Sequence, residues 1–238
     1  MDIAGQVEIF DDRESLTRHA AERIADAMRG CAAPYRFCLA GGSTPQPIYR
    51  LLAQRNDIAW DCVEIFFGDE RVVPHDHADS NYRMAKEALF SGANVHPRLL
   101  AAIPTDGTAE ACAEAYAEEL RQQYGASVLD PAVPLFDLML MGLGSDGHTA
   151  SLLPGQPVLE ERTRWVAPAP KGREVPRVTL TYPAMESSRL MLFLVAGADK
   201  AEAVKRVRAG DPAFPAGRLK PVGQVVWMLD RAAAGLHD

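Results

Sequence analysis

The sequence predicts an α/β fold: a doubly wound, mostly parallel sheet with helices on both faces. Two observations carry this expectation. Short apolar runs of strand length alternate with stretches of helical period, and three of those runs end in glycine or polar clusters, as strands do where they feed a ligand crevice. The chain has 238 residues, 47% hydrophobic and 24% charged, an ordinary globular composition that excludes disordered and fibrous classes. A single domain over residues 1–238 is expected.

Taken in order, residues 7–10 read as a strand. Asp12 then caps a helix whose apolar positions Leu16, Ala20, Ile24, Ala27 and Met28 recur at helical spacing until Gly30. Residues 35–40 form the next strand and run into Gly41-Gly42-Ser43-Thr44-Pro45. Thr44 suits an N-cap and Pro45 the first helical position, followed by Ile48, Tyr49, Leu51 and Leu52. A strand, a glycine turn and a helix N-terminus together present backbone N–H groups to a phosphate. Residues 60–67 read as a third strand ending on Gly68-Asp69-Glu70-Arg71, then a His-, Asp- and Pro-bearing loop over 72–79. Asp79 or Ser80 caps a helix through Phe90, residues 91–107 read as an excursion, and Ala109–Tyr124 as a helix ended by Gly125. The run Phe136–Met141 is a buried strand that breaks into Gly142-Leu143-Gly144-Ser145-Asp146-Gly147-His148. Residues 155–176 are Pro-rich and read as a long surface loop. Residues 177–181 and 190–196 follow as strands, 199–208 as a helix, 211–223 as loop, and 225–229 as the last strand.

Three strand ends, at residues 41–44, 69–71 and 142–148, would lie on one edge of a parallel sheet, so residues about a hundred positions apart would converge. Gly142, Gly144 and Gly147 match the spacing of a dinucleotide fingerprint, but no acidic residue follows a second strand about 20 residues on. These glycines are therefore read as permitting close approach to a small substrate. His148 is the candidate general base, since histidine titrates near working pH. His75 and His77 have metal-like spacing without a third ligand and read as loop residues. Ser43, Ser145 and Ser151 lie in no nucleophile elbow.

The net charge of −7 leaves no basic footprint for nucleic acid or an anionic membrane. No apolar stretch approaches the roughly 20 residues of a membrane span, and residues 1–10 lack the pattern of an export signal, so a cytoplasmic location is expected. Cys31, Cys38, Cys62 and Cys112 show no metal-binding or redox spacing and read as four reduced thiols. An anionic substrate would need local cations; Arg177 and Lys200 with the amides of Gly42, Ser43 and Thr44 would supply them.

These pieces resemble the 6-phosphogluconolactonase family. The resemblance rests on Ala40-Gly41-Gly42-Ser43-Thr44-Pro45, on Phe67-Gly68-Asp69-Glu70-Arg71-Val72-Val73-Pro74 with Ser80-Asn81-Tyr82, on the stretch from Met141 through Gly147-His148-Thr149-Ala150-Ser151-Leu152, and on Arg177-Val178-Thr179-Leu180-Thr181. It spans residues 35 to 200 in the family's order. It implies hydrolysis of 6-phosphoglucono-δ-lactone, a Rossmann-like α/β fold shared with glucosamine-6-phosphate deaminase and related sugar-phosphate isomerases, and neither cofactor nor catalytic metal. It implies further that Ser43, Thr44, Arg177 and Lys200 hold the phosphate and that His148 is the catalytic base. Beside it, Asp146 is expected to orient the imidazole and Arg71 or the glycine-loop N–H groups to meet the oxyanion, with Asp69 a further catalytic candidate and Gly42 and Asn81 substrate-binding ones. Deaminases carry a Phe-Asn-Glu stretch soon after the histidine, where this chain has Ser151-Leu152-Leu153. The absent carboxylate speaks against ring opening and isomerisation, and the absence of a DNA-binding segment against a silent sugar-phosphate-binding regulator. Lys171-Gly172-Arg173-Glu174 departs from the Lys-Pro-Pro run of many lactonases, so the resemblance carries no substrate contact onto that loop. The expected partner is a small phosphorylated sugar lactone, with the protein a monomer or small homo-oligomer.

Overall fold

A computed structural model describes residues 3–31, 34–169 and 174–236; Lys171, Gly172 and Arg173 lie outside them. In chain order the strands are β1 (Gln6–Phe10), β2 (Tyr35–Leu39), β3 (Val63–Phe67), β4 (Asp69–Arg71), β5 (Leu99–Leu100), β6 (Phe136–Met141), β7 (Val166–Ala169), β8 (Arg177–Leu180), β9 (Ser188–Val195) and β10 (Gln224–Asp230). The helices are α1 (Arg13–Met28), α2 (Pro45–Ala53), α3 (Asn81–Ala85), α4 (Ala109–Tyr124), α5 (Tyr182–Glu186) and α6 (Ala201–Arg208).

Seven strands pair in the order β1-β10-β9-β6-β2-β3-β5, and every neighbouring pair is parallel. From β2 the chain steps outward through β3 to β5, and from β6 it steps outward the other way through β9 to β10. The direction therefore reverses between β2 and β6. In an open α/β sheet the crevice beyond the carboxyl ends of the strands at such a reversal is where ligands bind. Register places the ends level, with Leu39 beside Phe67 and Met141 beside Phe193.

A second, three-stranded antiparallel sheet, β4-β8-β7, stands beside this edge, pairing Arg71 with Arg177 and Asp69 with Thr179. It corrects two sequence expectations. Residues 155–176 are not all surface loop: Trp165, Val166, Ala167 and Ala169 are buried, and β7 forms the outer strand, where Pro168 needs no ladder N–H. Asp69–Arg71 is itself a strand rather than only a polar strand end. Smaller corrections follow the same logic. Leu99–Leu100 is an edge strand on β3 within the expected excursion. Trp60–Cys62 is a tight helical turn that precedes β3. α5 went unread, and α6 starts at Ala201 after one tight turn through Lys200.

The helices form for local reasons. Asp12 caps α1 by accepting from the Ser15 N–H at 2.7 Å, and Leu16, Ala20, Ile24 and Met28 form its buried face. Ser80, not Asp79, caps α3, accepting from the Arg83 N–H at 3.1 Å. Thr44 does not cap α2: its backbone is already helical and its side chain makes no capping bond, so Pro45 alone marks that start.

Candidate active site

Two buried tyrosines fix the strand ends from which the site is built. Tyr49 of α2 accepts from the Ala40 N–H at 3.0 Å and donates to the Ala40 carbonyl at 2.8 Å. Tyr116 of α4 does the same for Phe67 at the end of β3, at 2.9 and 3.1 Å. Each hydroxyl satisfies both polar groups of one residue just where the ladder ends, which buried backbone requires. Burial pushes both phenols well above their usual range.

Beyond Ala40 the loop 41–44 turns into α2, and no backbone hydrogen bond of the described loops and caps uses the N–H of Gly42, Ser43 or Thr44. These three residues line the cleft at a helix start, and backbone N–H groups at such a start are suited to binding anions. Gly41 is needed for close approach, because a Cβ there would fall on the Asn81 carboxamide. Arg13, from the first turn of α1, donates from Nη2 to Ser43 Oγ at 3.3 Å.

On β4 alternate residues part company. Glu70, 1% exposed, turns inward and accepts from the Arg71, Asn81 and Tyr82 N–H groups and the Ser80 hydroxyl at 2.7–2.9 Å. It is a structural carboxylate that fastens the start of α3. Asp69 and Arg71 face the cleft instead. Asp69 Oδ1 accepts from Asn81 Nδ2 at 3.1 Å, Oδ2 accepts from Ser151 Oγ at 2.5 Å, and Arg177 Nη1 lies 3.8 Å from Oδ2. Arg71 donates from Nη1 to the Asp79 carbonyl.

After β6 the glycine loop folds back, with the Gly144 N–H on the His148 carbonyl at 2.8 Å and the Gly147 N–H on the Gly144 carbonyl at 2.9 Å. No helix follows directly, which removes the dinucleotide reading. His148 Nδ1–H donates to Asp146 Oδ1 at 2.5 Å, and the His148 backbone N–H reaches the same oxygen at 3.2 Å. A Cβ on Gly144 would fall on this imidazole, so glycine is what lets the pair close. Burial raises the Asp146 carboxyl, but the hydrogen bonds and charge of His148 outweigh it and hold it below the usual carboxylate range. With a carboxylate on Nδ1, the tautomer leaves Nε2 with a lone pair for a proton. Ala150, in the left-handed region at φ 47°, is the one non-glycine residue so placed among the described residues. It lies in the turn beside His148, where backbone strain tends to collect.

These groups line one cleft of about 260 Å³, below the roughly 300–1,000 Å³ typical of drug-sized ligands and so suited to a small molecule. Of the expected site residues, Gly42, Ser43, Thr44, Asp69, Arg71, Asn81, His148, Arg177 and Lys200 line it, and Asp146 stands behind His148. Lys200, at the turn after β9, pairs with Asp199 at 3.0 Å. That turn is anchored where the Gly197 N–H donates to Asp230. Sequence reading left out Ser151, Thr149, Arg13 and the two tyrosines. Thr149 and Ser151 lie within the motif that ends the glycine loop, whereas nothing along the chain marks Arg13, Tyr49 or Tyr116. His75 stacks on Tyr82 and meets the Ile103 carbonyl at 2.9 Å; among the described residues no group of three His, Cys, Asp or Glu is placed to hold a metal ion.

Residues 11–227 match the family described as glucosamine-6-phosphate isomerases/6-phosphogluconolactonase. The 6-phosphogluconolactonase of Synechocystis sp. is 37% identical over 247 residues, covering 97% of this chain and 98% of its own. The solved 6-phosphogluconolactonase of Thermotoga maritima superposes with a TM-score of 0.81 at 30% identity, covering 94% of this chain and 99% of its own. A monomeric glucosamine-6-phosphate deaminase, at a TM-score of 0.79 and 24% identity over 98% of this chain and 100% of its own, shares the fold.

Proposed function

The chain belongs to the glucosamine-6-phosphate isomerase/6-phosphogluconolactonase family, and on that premise we propose that it hydrolyses 6-phospho-D-glucono-1,5-lactone to 6-phospho-D-gluconate, the hydrolytic step of the oxidative pentose phosphate pathway. The observation that carries this reading is the His148–Asp146 pair set in a small cleft whose rim bears Arg71, Arg177 and Lys200. In a chain of net charge −7, three cations about one cleft mark an anionic substrate.

His148 Nε2 takes a proton from water as the water oxygen attacks C1. Asp146 holds the imidazole in that tautomer and stabilises the imidazolium that forms. The carbonyl π pair moves onto oxygen, where Arg71 or the glycine-loop amides meet the developing charge. Collapse of the tetrahedral intermediate breaks the bond from C1 to the ring oxygen, and His148 returns the proton to that oxygen. Arg177, Lys200 and the Gly42–Thr44 amides hold the phosphate at the far end, turning remote binding energy into orientation. Asn81 and Asp69 fix the wall between the two ends. Among the described residues no helix is long and apolar enough to cross a membrane, and we place the reaction in the cytoplasm.

Leu152 and Leu153, both buried, occupy the stretch where a deaminase needs a carboxylate. The test follows from that: purified protein is given freshly prepared 6-phosphogluconolactone, with spontaneous hydrolysis subtracted, and separately glucosamine 6-phosphate. Lactone hydrolysis without ammonia release is expected. Ammonia release without lactonase activity would overturn the reading.

A further inference from the structure

Ser151 is fully buried, and both of its donors cross from the loop after His148 to the small sheet. Its hydroxyl donates to Asp69 Oδ2 at 2.5 Å, and its backbone N–H to Thr179 Oγ1 at 3.3 Å. Arg177 Nη1 approaches that same Asp69 oxygen but stops at 3.8 Å, beyond direct hydrogen-bonding distance. A carboxylate and a guanidinium at 8% and 17% side-chain exposure attract one another strongly in so dry a setting. Asp69 Oδ1 is already engaged by Asn81, which leaves Oδ2 as the oxygen that would draw Arg177 in.

We infer that Ser151 is a positioning residue for the phosphate end of the cleft: by tethering Asp69 Oδ2 to the loop after His148, while Asn81 holds Oδ1, it keeps that carboxylate from swinging onto Arg177. The guanidinium is thereby kept aimed at the substrate phosphate. The inference rests on the phosphorylated-lactone reading above for the identity of the anion. Asp69 then acts as a fixed anion whose pull on Arg177 is set by one hydroxyl, and the turn that carries His148 is tied by the same residue to the phosphate side.

The test compares wild type, Ser151→Ala, Asp69→Asn and the double variant. It reads kcat and KM for lactone hydrolysis, the Kd of 6-phospho-D-gluconate, and the melting temperature. Ser151→Ala should raise KM and Kd on the order of tenfold with a smaller change in kcat, the scale of one charge-assisted hydrogen bond. Adding Asp69→Asn to Ser151→Ala should restore most of that affinity, because an amide does not draw Arg177 in. Ser151→Cys, a weak donor, should lose affinity by a smaller factor, and it decides the matter if Ser151→Ala does not fold. A lowered melting temperature with unchanged KM and Kd would overturn the inference. So would a double variant that binds no better than Ser151→Ala. Wild-type protein that hydrolyses no lactone would instead refute the proposed reaction, while the Kd comparison would still decide the role of Ser151.

Discussion

Replacing Tyr49 by Phe removes one oxygen atom and keeps the ring that fills the space between α2 and the sheet. The structure shows what the oxygen does: it accepts from the Ala40 N–H and donates to the Ala40 carbonyl, at 3.0 and 2.8 Å. Both backbone groups would be left without a partner at a part-buried position. Each such group costs about 1–3 kcal/mol, and partial access to water favours the lower half of that range, so the variant should lose about 2–4 kcal/mol. At roughly 2–4 °C per kcal/mol for a chain of this size, the melting temperature should fall by about 5–15 °C. Ala40 is also the last residue before the loop 41–44. Loosening it should raise KM several-fold through weaker phosphate binding, with kcat little changed. Thermal unfolding followed by circular dichroism, beside steady-state kinetics, measures both. A melting temperature within about 1 °C of wild type would refute the reasoning, because it would mean that Ala40 finds other partners at no cost.

Two other predictions concern single side chains. Thr149 is 1% exposed and its Oγ1 has no hydrogen-bond partner among the described residues. Thr149→Val should therefore stabilise the fold by about 1 kcal/mol while lowering kcat/KM about tenfold, if the hydroxyl is held for substrate; stabilisation with unchanged kinetics would show that it touches none. The Arg164 and Thr163 N–H groups hold the Glu161 carboxyl down at about 2. Its folded value is depressed, so its contribution to stability is present above the ordinary carboxylate range and fades as pH falls toward 2. Glu161→Gln should flatten that part of the acid-unfolding curve, and an unchanged curve would contradict the assignment.

The parallel sheet and its crevice were legible because β2, β3 and β6 are short apolar runs that stop abruptly at glycine or charge, a local signal that the eye can follow along the chain. The small sheet was not. β7 reads Val-Ala-Pro-Ala, and neither alanine nor proline carries a strand signal; its existence depends on pairing with β8, where Pro168 opposes Val178. β4 is Asp-Glu-Arg, a strand made by its partner rather than by its residues. Asp69 and Arg71 were marked by their place after an apolar run, yet nothing local showed that Glu70 between them would turn inward to fasten α3. Thr44 misled because Pro45 already starts the helix. Ser151 stands in a recognisable motif, outside any nucleophile elbow, but its positioning role is not legible there, since its partner Asp69 lies 82 residues away and no local pattern connects the two.

The central claim is that His148 is the base of a lactone hydrolase. It is tested most directly by initial rates of 6-phosphogluconolactone hydrolysis for wild type and His148→Asn, beside the Kd of 6-phospho-D-gluconate for both. The variant should lose on the order of 10²–10⁴ in kcat, the range for removing a general base, with Kd nearly unchanged because the phosphate end of the cleft is intact. Turnover close to wild type in His148→Asn would contradict the account.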